Sequence, residues 1–163
     1  MICQLPTEDI RAILNVVNSA AIAYEGKIPR DMWNQPYMIA TELEKEIQSG
    51  VQFYGCKENG VLMAVMGIQP VKDVTLIRHA YVLPSLQRKG LGQKLLKHLL
   101  SLAITPQVYV GTWEAAIWAV KFYEKNGFQL VSEAEKNRLL RKYWDISDRQ
   151  VETSVVLKME RQP

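Results

Sequence analysis

The residues Gln87-Arg88-Lys89-Gly90-Leu91-Gly92 carry the clearest chemistry in the chain. Two glycines let the backbone turn tightly and come close to a ligand. Before them the apolar run Val74–Val82 reads as a strand; after them the leucine-rich run Leu91–Leu102 reads as a helix. A helix N-terminus offers unpaired N–H groups and the positive end of the helix dipole, which suits a phosphate. Arg88 and Lys89 add charge at the same point. A strand-to-helix turn that merely needs glycine explains the glycine pair, but it explains the adjoining basic pair less well. A nucleotide P-loop requires G-x-x-x-x-G-K-[ST] and a Rossmann turn requires G-x-G-x-x-G. The segment supplies neither, and Leu95 stands where the third Rossmann glycine belongs.

Led by Val82-Leu83-Pro84, the segment matches Q/R-x-x-G-x-G/A through Gln87, Gly90 and Gly92. It resembles the coenzyme A pyrophosphate loop of the GNAT acetyltransferase superfamily. A second block, Trp118 to Phe128, resembles that superfamily's A-x-x-F/L-Y-x-k-x-G-F signature. Here Asn126-Gly127 ends a helix, with Gly127 suited to the left-handed cap position. The resemblance implies acetyl-CoA as co-substrate and no metal. It implies cofactor contacts from Val82, Leu83, Gln87, Arg88, Lys89, Gly90, Leu91, Gly92 and Gln93, with Phe122 on the second motif.

Transfer of an acyl group from a thioester to an amine needs an unprotonated amine, a donor for the oxyanion and a proton for the leaving thiolate. The resemblance gives the last task to Tyr123, and a phenol and a thiol have pKa values within about two units of each other. It gives the oxyanion to a backbone N–H near Val82 or Leu83. The general base is open between two residues. His79 has a suitable intrinsic pKa and lies on the strand before the turn. Strict alternation puts Arg78, Ala80 and Val82 on one face and Ile77, His79 and Tyr81 on the other, unless a bulge breaks the count. A packed histidine explains His79 equally well. Glu114 is the second candidate, and an acidic residue in the first turn of the next helix explains it as well. His98, among leucines and lysines, reads as structural. Many superfamily members carry asparagine seven residues before the tyrosine; here that position is Ala116.

These residues need a scaffold. A short strand over 2–5 precedes a helix with Thr7 as N-cap and Ile10, Leu14, Val17 and Ala21 at helical spacing. After a loop with Pro29 and Pro36, a helix runs from about Thr41 to Gln48. Strands Val51–Cys56 and Val61–Ile68 join across Glu58-Asn59-Gly60, a hairpin signal. The motif strand and helix follow, then a strand Gln107–Trp113, a helix Ala115–Lys125 and a strand Phe128–Val131. Leu139, Leu140, Tyr143 and Trp144 give the span 133–145 an apolar face, an extra helical segment. It reads as cover for the sheet edge, with a lid and a dimer contact as the alternatives. A strand Val151–Met159 closes the chain. The pattern alone gives α+β or α/β; the resemblance implies a mixed, mostly antiparallel central sheet flanked by helices, in one domain over 1–163.

Composition is that of a soluble globular protein, with 48% hydrophobic and 23% charged residues. No run approaches the roughly 18 apolar residues of a membrane helix. Cys3 and Cys56 are too isolated for a disulfide framework or a metal site, so a cytoplasmic setting is expected. The net charge of +3 is too small to argue for nucleic acid. Its distribution says more: no acid lies between Asp73 and Glu114, where Arg78, Arg88, Lys89, Lys94 and Lys97 all fall. Such a region concentrates an anionic ligand.

The reading is an N-acetyltransferase that moves acetyl from acetyl-CoA to a primary amine of a small molecule or peptide by direct attack, as a monomer or homodimer. The alternative is an idle module of the same fold that senses acyl-CoA. For the acceptor, the loop after the first helix offers Tyr24, Arg30, Asp31, Trp33 and Tyr37. Arg78 and Arg149 are candidates to hold a carboxylate, and Asp31 and Glu152 to attract a cation.

Overall fold

A computed structural model describes residues 1–162 and contains seven strands and six α-helices among them. The chain divides into two compact units. The first comprises 1–23, 34–70 and 77–103; the second comprises 24–33, 71–76 and the chain from Ile104 onward. No helix among the described residues is long and apolar enough to cross a membrane.

The first unit contains β1 (Ile2–Gln4), α1 (Ile10–Ala21), α2 (Ala40–Gln48), β2 (Gln52–Glu58), most of β3 (Val61–Val71) and of β4 (Val74–Val82), and α3 (Leu91–Leu102). The strands lie in the order β1-β2-β3-β4. β1 pairs antiparallel with β2, and β2 with β3, in a register that sets Cys3 opposite Gly55 and Tyr54 opposite Met66. Asn59 and Gly60, both at positive φ (51° and 78°), close the expected hairpin as its two turn residues. Ile13, Val16, Val17, Ala20 and Ala21 are buried along α1, at the spacing of one helix face. Ile13, Val16 and Val17 join Leu43 of α2 and Val51, Phe53, Leu62 and Val65 in one core. Asn18 fastens the loop before α2, accepting from the Met38 N–H at 2.8 Å and donating to the Met38 carbonyl at 2.9 Å.

One local reading at this end changes. Thr7 is not a side-chain cap, because Thr7–Asp9 form a 3₁₀ turn that runs straight into α1. Asp9, at the cap position, instead pairs with Lys57 at 2.8 Å.

The second unit contains β5 (Gln107–Trp113), α4 (Ile117–Lys125), β6 (Gln129–Leu130), α5 (Glu133–Tyr143), α6 (Asp148–Glu152) and β7 (Ser154–Glu160). Its strands lie in the order β5-β7-β6, both pairs antiparallel, with Val110 opposite Leu157 and Leu130 opposite Leu157 from the other side. The extra helical segment is α5. Ser132 caps it by accepting the Glu135 N–H at 3.2 Å, with acids in the first turn and Arg141 and Lys142 in the last, as the helix dipole favours. Leu139, Leu140 and Tyr143 are buried against Val74, Leu76, Tyr109, Val151 and Val156. At about 1.5–3 kcal/mol per fully buried large side chain, this face anchors the helix. Tyr143 also donates its hydroxyl to Asp73 at 2.8 Å.

The last strand is shorter than its alternation predicts. Val151 is buried in α6, capped by the Ser147 hydroxyl, which accepts the Gln150 N–H at 3.1 Å. Thr153 closes the turn by donating to the Arg149 carbonyl at 2.9 Å, and β7 starts at Ser154.

Candidate active site

β4 leads into the glycine turn through one 3₁₀ turn, Pro84–Leu86, after which Gln87 is extended. The Gln87 side-chain amide donates back to the Val82 carbonyl at 3.2 Å, tying the turn to the strand end. Arg88 (φ 65°) and Gly90 (φ 84°) are both left-handed. Glycine adopts that conformation freely, whereas for arginine it costs about 1–2 kcal/mol. Gly90 is the N-cap of α3 and gives it no side-chain cap; the helix begins with the Lys94 N–H on the Gly90 carbonyl at 3.0 Å. The helix's own bonds leave the N–H groups of Leu91, Gly92 and Gln93 without an acceptor. Arg88, Lys89 and Gly90 are exposed beside them. This end of α3 has what a phosphate needs. The Leu83 N–H, one of two candidate oxyanion donors, is committed to the Met63 carbonyl at 3.0 Å. By alternation the Val82 N–H points off the opposite edge of β4.

Five residues upstream of Pro84 the strand is irregular. His79 has φ 54°, a left-handed conformation inside a strand. This breaks the alternation, so that Arg78 and His79, neighbours in sequence, both turn toward Glu46 of α2. Arg78 Nη1 lies 2.7 Å from Glu46 Oε2, and His79 Nε2 lies 3.3 Å from the same oxygen. Arg78 also donates to Gln69 Oε1 at 3.1 Å, and Gln69 donates in turn to the Ser49 carbonyl at 3.0 Å. The Phe53 ring packs 5.8 Å from the imidazole. Burial, with a smaller push from the Arg78 charge, lowers the His79 pKa below the ordinary imidazole value against the opposing pull of Glu46. Burial works to raise Glu46, but contact with His79 and Arg78 outweighs it and holds the carboxyl below its usual range. A neutral imidazole beside a carboxylate follows. Arg78 is thereby engaged by Glu46 and Gln69, which removes it as an open carboxylate clamp.

In the second unit Tyr123 sits in the last turn of α4, and the way that helix ends fixes it. The Gly127 N–H donates to the Glu124 carbonyl at 3.2 Å and the Phe128 N–H to the Tyr123 carbonyl at 3.0 Å. With Gly127 at φ 92°, this is a Schellman ending. The apolar contact that accompanies such endings is Phe128 on Tyr123, ring centroids 5.6 Å apart. Phe122 packs edge-on from the other side at 5.1 Å. Tyr123 is only 4% exposed. Burial, then the neighbouring Tyr24, raises its pKa well above that of a free phenol. Tyr24 stacks on Trp118 at 6.0 Å, a pairing with no counterpart in the sequence reading. Ala116, in the asparagine position, is buried at the N-cap of α4. Glu114 is exposed just beyond β5, its N–H on the Thr153 carbonyl at 2.9 Å. Asp31 and Arg149, offered separately for an acceptor, pair with each other at 3.2 Å, and Glu152 lies 3.8 Å from Arg149.

Glu46 is the site residue that sequence reasoning missed. It belongs to no motif, and on a polar helix it reads as one more solvated acid.

The model of the acetyltransferase (GNAT) family matches residues 16–128, more than half of the chain. Among solved structures, the chain is similar to the PaiA N-acetyltransferase of Thermoplasma acidophilum in complex with coenzyme A, with TM-score 0.74 at 16% identity over 98% of each chain. It is similar to a GNAT-family acetyltransferase of Staphylococcus aureus Mu50, with TM-score 0.75 at 19% identity over 99% of each chain. A third is the ribosomal-protein-S18-alanine N-acetyltransferase of Escherichia coli, with TM-score 0.68 at 18% identity, covering all of this chain and 94% of that one. At these identities the likeness speaks for the fold, which is the expected α+β class. With the family model over both motifs, the chain belongs to the GNAT family and is an acetyl-CoA-dependent N-acetyltransferase.

Proposed function

We propose that the chain, acting as one domain, transfers acetyl from acetyl-CoA to a primary amine of a small molecule or peptide by direct attack. The observation that carries this reading is the uncapped, basic N-terminus of α3 behind the left-handed Arg88 and Gly90. The N–H groups of Leu91, Gly92 and Gln93 bind the pyrophosphate, with Arg88 and Lys89 supplying charge and Gln87 holding the turn in shape. The pantetheine arm runs beside the end of β4 at Val82 and Leu83, with Phe122 as a further cofactor contact. Free thiols at Cys3 and Cys56 accord with a cytoplasmic setting.

In the reaction the amine lone pair attacks the thioester carbonyl carbon. The carbon–nitrogen bond forms, and the Val82 N–H stabilises the oxyanion. The carbon–sulfur bond then breaks, and the Tyr123 hydroxyl gives its proton to the thiolate. His79 takes the proton that the nitrogen sheds, with Glu114 as the second candidate for that task. The raised pKa keeps Tyr123 protonated throughout the physiological range, and the lowered pKa keeps His79 ready to accept a proton. Incubation with acetyl-CoA and a panel of amines and amino-terminal peptides, followed by free-thiol release, tests the reading. Acceptor-dependent release supports it, and absence of release with every amine, despite acetyl-CoA binding, rejects it.

A further inference from the structure

We propose that Glu46 is the positioning residue of the base: it holds the His79 imidazole through Nε2, so that Nδ1 is the nitrogen that accepts the proton. This rests on the reading of His79 as the base. Three observations converge. The left-handed backbone at His79 (φ 54°) turns the ring toward α2 instead of following the strand's alternation, a local cost that the surroundings must maintain. His79 Nε2 and Glu46 Oε2 are both shut off from solvent and 3.3 Å apart, and among the described residues neither makes an aligned hydrogen bond, to the other or elsewhere. Two such atoms are costly to bury unless they face each other as donor and acceptor. Finally, Glu46 is itself held in place, by Arg78 at 2.7 Å, which in turn is braced by Gln69.

The chemistry follows from the tautomer. A carboxylate accepts only, so the nitrogen facing it carries the hydrogen, and the lone pair of the neutral ring is then on Nδ1. When Nδ1 takes a proton, the imidazolium forms beside a carboxylate already fixed to receive its charge. The groups facing the ring are Glu46 from α2, Arg78 from its own strand, Gln69 from β3 and the Phe53 ring from β2, so Glu46 supplies the only negative charge among them.

Glu46→Gln keeps the shape and removes the charge, leaving Arg78 as the only charge among those groups. The acid limb of kcat/KM is expected to move to lower pH by about one unit or more, with kcat reduced about 10- to 100-fold. KM for acetyl-CoA is expected to stay unchanged, and Glu46→Asp to restore part of the loss. Imidazole nitrogen NMR of the free protein is expected to show Nε2–H in the wild type and a lower His79 titration midpoint in Glu46→Gln. An unchanged midpoint and tautomer in Glu46→Gln overturns the proposal. An acid limb that survives His79→Ala overturns the reading of His79 as base, whatever the NMR of the Glu46 variants shows.

Discussion

His79 and Tyr123 are both withdrawn from solvent, in very different company. Around His79 are charges: a carboxylate, a guanidinium and the amide that braces it. Around Tyr123 are rings, Phe122 and Phe128, with Tyr24 the polar neighbour. Burial is nevertheless the largest influence on both pKa values, and it moves them in opposite directions, because a low dielectric disfavours whichever form is charged. Both groups are pushed toward neutrality. The base role proposed for His79 and the acid role proposed for Tyr123 both need the neutral form, so one physical cause sets both protonation states while making the phenol a weaker acid and the imidazole a weaker base.

Removing the phenolic proton breaks the comparison most severely. Tyr123→Phe keeps the ring and its contacts, and is expected to lower kcat by on the order of 10²–10⁴ with little change in acetyl-CoA affinity by calorimetry. Equal turnover, with chemistry shown to be rate-limiting, makes Tyr123 a packing residue and leaves the two regions without a shared role.

A control in the aromatic unit comes next in size. Leu139→Ala removes a buried side chain that faces neither group, and is expected to cost about 2–5 kcal/mol of stability in denaturant unfolding. Acceptor KM among the folded molecules is expected to stay constant if α5 is structural cover. A large acceptor defect in a stable variant makes α5 a lid.

The pH profile sharpens the comparison. Because the folded-state pKa of His79 is lowered, the acid limb of kcat/KM is expected below the ordinary imidazole value of about 6.5. His79→Ala is expected to abolish the limb. The sign for stability agrees: a group with a depressed pKa binds fewer protons folded than unfolded, so its contribution is lost as the pH falls through that window. Because the pKa of Tyr123 is raised, no alkaline limb from its ionisation is expected below about pH 10. An acid limb at or above 6.5 contradicts burial as the controlling influence on His79.

The smallest expected effect concerns a carboxylate outside both sites. The Tyr143 hydroxyl bond lowers the Asp73 pKa. Tyr143→Phe is therefore expected to lower the melting temperature slightly near pH 7. The difference from wild type is expected to shrink as the pH falls below the carboxylate range, where Asp73 is protonated in either protein.

The sequence made some of this legible. Val74–Val82 and Leu91–Leu102, which flank the glycine turn, and Gln107–Trp113 fall where apolar runs and glycines placed them, because local pattern and tertiary burial agree there. Gly127 was legible for the same reason: only a left-handed residue completes that helix ending. α6 was misread because alternating Thr153, Val155 and Leu157 extended the strand backward over Val151. The pattern Ser147-x-x-Gln150, a capping box, was the overlooked signal. The strand irregularity at His79 and its partner Glu46 left no local trace. They arise from packing between α2 and β4, segments more than thirty residues apart in sequence. Asp31 and Arg149, at hydrogen-bonding distance across 118 residues, were hidden for the same reason.

That last contact gives the loop 24–33 an ionic-strength dependence. Arg149 and Asp31 are about half exposed, at 47% and 61%, so the clasp that joins the loop to α6 works in a medium where dissolved salt competes with it. The Debye length shrinks from about 10 Å at 0.1 M to about 3 Å at 1 M, and an exposed pair of this kind contributes little to stability. The segment around Pro29–Met32 is therefore the place where high salt, or Asp31→Asn at low salt, increases amide exchange and proteolytic nicking, while the backbone around the buried Tyr123 of α4 keeps its protection.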